Sequence, residues 1–223
     1  MAMTIADFHD LTEPQRRLLT RLEQDTSFCE TFYFTGGTLL KALGIVPRES
    51  NDLDFFTFPT VDEHTYTTSL VSVRRMLEER FENDTIVDTQ RGFLLSKERM
   101  VVECIYDTVA NIDAFAPYGR LNVTGLRDLL ANKAAAFCVR DEVKDLIDIA
   151  FLTKQHGWLL SDIADIAERR FHLQTISEEK LLTELIHKRD MFAVTPDMFL
   201  RNGTENARLV EEQIEHLLQS SNV

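Results

Sequence analysis

Cysteine is scarce in this chain. Of 223 residues only Cys29, Cys104 and Cys138 are cysteine, odd in number and far apart. That excludes a disulfide framework and a cysteine-rich zinc site, and it fits a reducing cytoplasm. The six histidines, His9, His64, His156, His172, His187 and His216, contain no pair at metal-site spacing, so they suggest no zinc. No apolar run approaches the roughly 18 residues of a membrane helix. Met1 to Asp10 lacks the basic-then-apolar order of a secretion signal. Positive charge is also short: 24 basic residues face 37 acidic ones, for a net charge of −13. Both stretches share the deficit, −8 over residues 1–120 and −5 over residues 121–223. This balance argues against a general nucleic-acid binder, because phosphate affinity comes mainly from clustered Lys and Arg. It leaves a local basic patch, or Mg²⁺ bridging an acidic protein to an acidic substrate.

What is present is an ordinary globular composition, 44% apolar and 27% charged, with 15 Phe available for a core. Thr12 to Asp25 reads as a helix capped by Thr12, with Pro14 in its first turn. The aromatic run Phe32-Tyr33-Phe34 ends at Thr35-Gly36-Gly37. A helix follows to Leu43, with Gly44 as its stop. Asp52 to Phe58 alternates and reads as a strand, Asp62 to Phe81 as a helix. Further strands are expected at Ile86-Val87, 91–95 and 100–106. Beyond Pro117 and Gly119 the pattern turns helical, with helices near 125–139, 144–155, 160–170, 177–189 and 205–219. The order predicts an α+β fold: a small mixed sheet over residues 1–120, then a helical bundle over 121–223.

The chemistry-bearing residues cluster in the first part. Glycines at a helix start let phosphate approach backbone N–H groups, so Gly36 and Gly37 are candidates, with Thr38 adding a hydroxyl. A plain turn explains a lone Gly-Gly equally well. Asp52 and Asp54, at i and i+2 of a strand, point to one face while Leu53 and Phe55 face the core. Two adjacent carboxylates suit a Mg²⁺ shared with phosphate oxygens; a solvated strand edge is the alternative. Glu103, mid-strand in Val-Val-Glu-Cys-Ile, is a third candidate ligand and base, with Asp107 as fallback. An arginine across the sheet would satisfy Glu103 as well. The small basic pairs Arg169-Arg170 and Lys188-Arg189 are candidate RNA contacts, though surface positions explain them more simply. Trp158 reads as a core or interdomain contact.

Gly36-Gly37-Thr38-Leu39-Leu40 followed by Arg48-x-Ser50-x-Asp52-Leu53-Asp54-Phe55 resembles the nucleotidyltransferase superfamily signature, in the form of the AbiEii/AbiGii-type toxin nucleotidyltransferases. Leu130-x-x-Lys133, Arg140 and Lys144-Asp145-x-x-Asp148 are similar to that family's later motifs. The resemblance implies a nucleotidyltransferase fold, with Mg²⁺ on Asp52 and Asp54 and phosphates against Gly36-Gly37. Arg48 would come near as a charge partner, unless it pairs with Asp52 or Asp54. Ser50 would shape the turn or bond a phosphate oxygen. Were residues 130–150 one helix, Lys133, Arg140, Lys144 and Asp148 would share a stripe. Lys133 and Arg140 would then clamp phosphates, with Asp145 or Asp148 orienting them; a solvated charged face is the alternative. The implied reaction moves a nucleoside monophosphate from a nucleoside triphosphate to a hydroxyl on tRNA, protein or a small molecule. The second part of the chain is expected to close over the nucleotide. The resemblance also implies a toxin of a toxin–antitoxin or phage-defence system, with an antitoxin partner. A nucleotide-binding module without transfer, or a kinase-like γ-phosphate transfer, remains open.

Overall fold

Thr12 opens the first helix as its residue type foretells. In the computed structural model, which describes residues 3–172, 176–194 and 200–221, its hydroxyl accepts from Gln15 N at 3.3 Å. Pro14 sits in the first turn of α1 (Glu13–Leu22), and Leu18, Leu19 and Leu22 are buried. Asp25 caps a short α2 (Thr26–Thr31) by accepting from Phe28 N at 3.1 Å. The chain then runs without a linker through β1 (Phe32–Thr35) into α3 (Gly36–Ala42). There follow β2 (Leu53–Thr57), α4 (Glu63–Arg80), β3 (Ile86–Asp88), β4 (Gly92–Leu95), β5 (Met100–Ile105), β6 (Ala116–Tyr118) and β7 (Leu121–Val123).

These strands form one mixed sheet in the order β3-β4-β5-β2-β1-β7-β6. The pairs β2–β5 and β1–β7 are parallel and the others antiparallel. Sheet, α1–α4 and their loops make up a compact unit of Met1–Leu43 and Ser50–Thr124. Within it β1, an interior strand, is buried on both faces. Phe34 meets Phe55 with ring centroids 5.4 Å apart, and Phe28 stands 5.0 Å from both Phe32 and Phe55. Tyr33 turns the other way, 4.7 Å from Phe115 and 5.6 Å from Phe58. A strand covered on both faces has no polar alternation, so the sequence pattern does not mark it as a strand.

The second unit gathers Gly44–Glu49 with Gly125–Val223. Its helices are α5 (Leu126–Phe137), α6 (Val143–His156), α7 (Leu160–Phe171), α8 (Glu178–Val194) and α9 (Gly203–Ser220). Helix α6 packs against α5, α8 and α9, and α7 against α5 and α8. Gly157 ends α6 with φ +69°, a left-handed cap. The basic pairs expected at the surface are split. Arg170 is fully buried with Nε 3.4 Å from Asp128. Lys188 is also buried and donates to Phe137 O at 2.7 Å and to Glu184 at 2.6 Å. Trp158 is half-buried and stacks on His156 at 4.5 Å. Among the described residues, no helix is long and apolar enough to cross a membrane.

Candidate functional site

The turn from β1 into α3 brings the glycine pair against a carboxylate. Gly36 has φ +79°, and a Cβ there would lie 1.9 Å from Asp54 Oδ2 and 2.7 Å from Asp54 Cβ. Backbone conformation and space both require glycine. Asp54 itself is fixed by the ladder, where Thr35 pairs with Asp54, Asp54 with Glu103, and Glu103 with Gly92. One row thus crosses β1, β2, β5 and β4. Neighbouring strands lie about 4.8 Å apart, so Asp54 and Glu103 stand side by side on one face. Both are half-exposed, whereas Leu53, Phe55, Val102 and Cys104 face the core. Burial, then the charges of Glu103 and Asp54, push the Cys104 thiol well above its ordinary value. Gly92 gives the far flank of Glu103 no side chain; a Cβ there would lie 2.0 Å from Val102 O.

Asp52 stands one residue before β2, so its position comes from the preceding loop and not from the strand as expected. That loop is tied down from three sides. Thr38 Oγ1 donates to Asp52 O and lies 2.8 Å from Ser50 Oγ. Ser50 O accepts from Lys41 Nζ at 2.9 Å and from Gln15 Nε2 at 3.0 Å. The Thr38 hydroxyl, expected at a phosphate, is fully buried and committed to this loop. The expected cluster of Asp52, Asp54 and Glu103 is therefore two ladder partners with a third carboxylate on the adjoining loop. Among the described residues, no group of three or more His, Cys, Asp or Glu could hold a metal ion as it stands. The fallback Asp107 lies beyond β5, where its carboxylate accepts from Val109 N at 3.0 Å and Tyr33 OH at 3.5 Å.

One group here has no counterpart in the sequence reading. Thr35 is 1% exposed, and its Oγ1 is buried without a hydrogen-bond partner, directly opposite Asp54 in the β1–β2 ladder. An orphaned hydroxyl beside paired carboxylates fits a site built for oxygen-rich ligands, such as a hard cation with phosphate.

The second unit carries the other candidates. Arg48 grips Asp148 with both arms, Nε to Oδ1 at 2.5 Å and Nη2 to Oδ2 at 2.7 Å. This partner lies 100 positions along the chain. The two helices expected near 125–139 and 144–155 are α5 and α6, and Cys138–Glu142 separate them, so Lys133 and Asp148 do not share one helical stripe. Lys133 on α5 reaches Asp148 Oδ2 at 2.7 Å and Asp145 Oδ1 at 3.3 Å on α6. Arg140 Nε lies 3.5 Å from Asp145 Oδ2, while Lys144 turns to Glu142 at 2.7 Å. Arg48, Lys133, Asp145 and Asp148 are all buried. Burial alone would raise the Asp148 carboxyl; the charges of Lys133 and Arg48, and their hydrogen bonds, hold it below its ordinary value. Burial would lower Lys133, but Asp148 and then Asp145 hold it above its ordinary value.

The chain is similar to several known proteins. The family described as "Nucleotidyl transferase AbiEii toxin, Type IV TA system" matches residues 17–213. A protein of Aquifex aeolicus (strain VF5) whose own function is uncharacterized is 28% identical over 166 residues, covering 72% of this chain and 76% of that one. The crystal structure of JHP933 from Helicobacter pylori superimposes with a TM-score of 0.55 at 16% identity, covering 94% of each chain. A second H. pylori crystal structure gives 0.54 at 16% identity, over 94% of this chain and 96% of that one. Both share the fold.

Proposed function

From the premise that this chain belongs to the AbiEii nucleotidyl transferase toxin family, we propose that it moves a nucleoside monophosphate from a nucleoside triphosphate to a hydroxyl acceptor, tRNA or protein. Membership makes it a nucleotidyltransferase of a toxin family; the donor, metal and acceptor are our reading. The observation that carries it is the contact between Gly36 and Asp54, where a Cβ would lie 1.9 Å from the carboxylate oxygen. Backbone that offers N–H groups to phosphate is thereby held against a carboxylate able to bind a cation.

Asp54 and Asp52 would hold Mg²⁺, a hard cation that takes one or two carboxylates together with phosphate oxygens. Such an ion neutralises charge on the triphosphate and acidifies an attacking hydroxyl. Gly36 and Gly37 would receive phosphate oxygens. Glu103, ladder partner of Asp54, would complete the metal ligands or accept the acceptor's proton. Thr38 and Ser50 would act by fixing the Asp52 loop. In the second unit, Lys133 and Arg140 would supply positive charge, with Asp145, Asp148 and Arg48 setting the position of Lys133. The protein would work in the cytoplasm, countered by an antitoxin.

A second reading, nucleotide binding without transfer, draws on the separation of Asp52 from the Asp54–Glu103 pair. The deciding experiment supplies each triphosphate labelled at the α-phosphate, with Mg²⁺, with and without total tRNA. Label in tRNA or protein that vanishes in Asp52→Ala/Asp54→Ala supports transfer. Mg²⁺-dependent binding without transfer supports the second reading.

A further inference from the structure

Two buried polar atoms that lack a hydrogen-bond partner, Thr35 Oγ1 and Asn111 Oδ1, flank one residue, Thr124. The Thr124 N–H donates to Phe34 O at 3.1 Å, which carries the parallel β1–β7 register one step past Val123 and sets Thr124 beside Thr35. Phe34 and Val123 are buried in the core, so by alternation Thr35 and Thr124 point to the side of Asp54. Asn111 Nδ2 donates to Thr124 Oγ1 at 3.1 Å, and the amide oxygen is left with nothing to accept. A row of Asp54, Thr35 and Thr124, with Asn111 at its end, thus runs from a candidate metal ligand to a neutral polar corner, all within the first unit. We propose that Asn111, Thr124 and Thr35 form a subsite for the sugar hydroxyls of the bound triphosphate, and that through it the protein selects ribonucleotides over deoxyribonucleotides. The proposal rests on the nucleotide-binding part of the reading above.

The chemistry of the corner selects its ligand. A buried polar atom left without a partner costs stability, so two of them around one hydroxyl call for a common occupant. None of the three side chains carries charge. Phosphate is drawn to cationic donors and a divalent cation to carboxylates, and this corner offers neither. A sugar hydroxyl both donates and accepts, as the amide and the two threonine hydroxyls require. The amide serves in either orientation. With its oxygen inward it accepts from the sugar; turned over, it accepts from Thr124 and its nitrogen donates to the sugar. A cation fits only the first arrangement. Thr35 lies one strand spacing, about 4.8 Å, from Asp54. The sugar of a triphosphate whose α-phosphate shares an ion with Asp54 therefore falls beside this row. Asn111 belongs to the segment between β5 and β6, where Thr108, Ala110 and Ala114 are exposed. The subsite lies beneath that surface loop, which lifts to admit the sugar. Lifting breaks the Asn111–Thr124 hydrogen bond; closing over the sugar restores it and satisfies both orphaned atoms. A buried water is the rival occupant, and it would not distinguish one sugar from another.

The test is equilibrium dialysis, with Mg²⁺ and no acceptor, of each ribonucleoside triphosphate beside its 2′-deoxy and 3′-deoxy analogues, all labelled at the α-phosphate. The proteins are the wild type, Asn111→Ala, Thr124→Val and Thr124→Ser. We expect the wild type to hold the ribonucleotide at least about tenfold more tightly than one of the two analogues, because a site built around a hydroxyl rejects the ligand that lacks it. Asn111→Ala and Thr124→Val lower ribonucleotide affinity to that of the deoxy analogue and leave the analogue's own affinity unchanged. Thr124→Ser keeps the hydroxyl and the preference. Equal wild-type affinity for all three sugars leaves a buried water only and overturns the proposal. A preference that survives in both Asn111→Ala and Thr124→Val overturns it, as does a parallel loss of ribo- and deoxyribonucleotide affinity in both, which would make the residues structural. Absence of triphosphate binding by the wild type overturns the proposal together with the reading beneath it. Label transfer, run in parallel, separates the two. A sugar preference that the variants lose, without transfer to any acceptor, sinks the reaction and keeps the subsite. Transfer from ribo- and deoxyribonucleotides alike sinks the subsite and keeps the reaction.

Discussion

Gly36 and Asp54 share one space: the position a Cβ would take on the glycine is 1.9 Å from Oδ2 of the aspartate. The relation couples the end of β1 to the middle of β2, and it makes the glycine a condition for the carboxylate's placement.

Gly36→Ala therefore adds left-handed backbone strain, about 1–2 kcal/mol, to displacement of Asp54. Urea unfolding is expected to show a loss above about 2 kcal/mol, with nucleotide transfer abolished. In a double-mutant cycle with Asp54→Gly, which removes the crowding side chain, the coupling should exceed about 0.5 kcal/mol. Additive costs would mean that the two residues do not press on one another.

Asp52 separates chemistry from stability. It is half-exposed and outside the strand, so Asp52→Ala should leave stability within about 0.5 kcal/mol of wild type while transfer disappears. Glu103→Gln keeps the shape and removes the charge. If Glu103 takes the acceptor's proton, kcat falls by about 10² or more while nucleotide affinity is kept. Unchanged kcat removes Glu103 from the mechanism.

The candidate site is legible in the sequence where chemistry repeats at short range. The Gly36-Gly37 pair, the Asp52–Asp54 spacing and the strand at residues 100–106 are local patterns, and the ladder does place Asp54 beside Glu103. The residues missed depend on long-range packing. Strand β1 hides because both its faces are buried; α2, β6 and β7 are too short to show a period. The Arg48–Asp148 pair spans 100 positions, and no local pattern can show it. Arg170 and Lys188 look like surface charge until the helices that cover them are known. Gly92 did leave a signal, an isolated strand glycine next to aromatic Phe93, which marks close backbone approach.

Thr35 offers a test in which stability and function move in opposite directions. Its buried hydroxyl has no partner, and such a group costs about 1–3 kcal/mol. Thr35→Val should fold at least as stably as wild type in urea. If the hydroxyl serves a loaded site, the same variant needs more Mg²⁺ for half-maximal transfer. Lower stability with unchanged Mg²⁺ dependence would show that the hydroxyl is satisfied within the fold.

Asp148 and Lys133, each held away from its ordinary value by the other's charge, give the second unit a pH dependence of defined sign. Asp148→Ala leaves Arg48 and Lys133 buried beside a lost partner, a change that typically costs about 3–5 kcal/mol; the urea midpoint should fall accordingly. Asp148 is held below its ordinary value of 3.8. Its contribution is thus fully present above that value and is lost as pH falls further, through the lowered folded value. Lys133 is held above its ordinary value of 10.5. Its contribution is fully present below 10.5 and is lost as pH rises through the raised folded value. These two groups therefore leave stability level across neutral pH and remove it only at the acid and alkaline extremes. In Asp148→Ala the acid-side loss should shrink, since the carboxyl that drives it is gone. An unfolding series from pH 2 to pH 11 that shows the same acid limb in wild type and variant would place the acid sensitivity elsewhere.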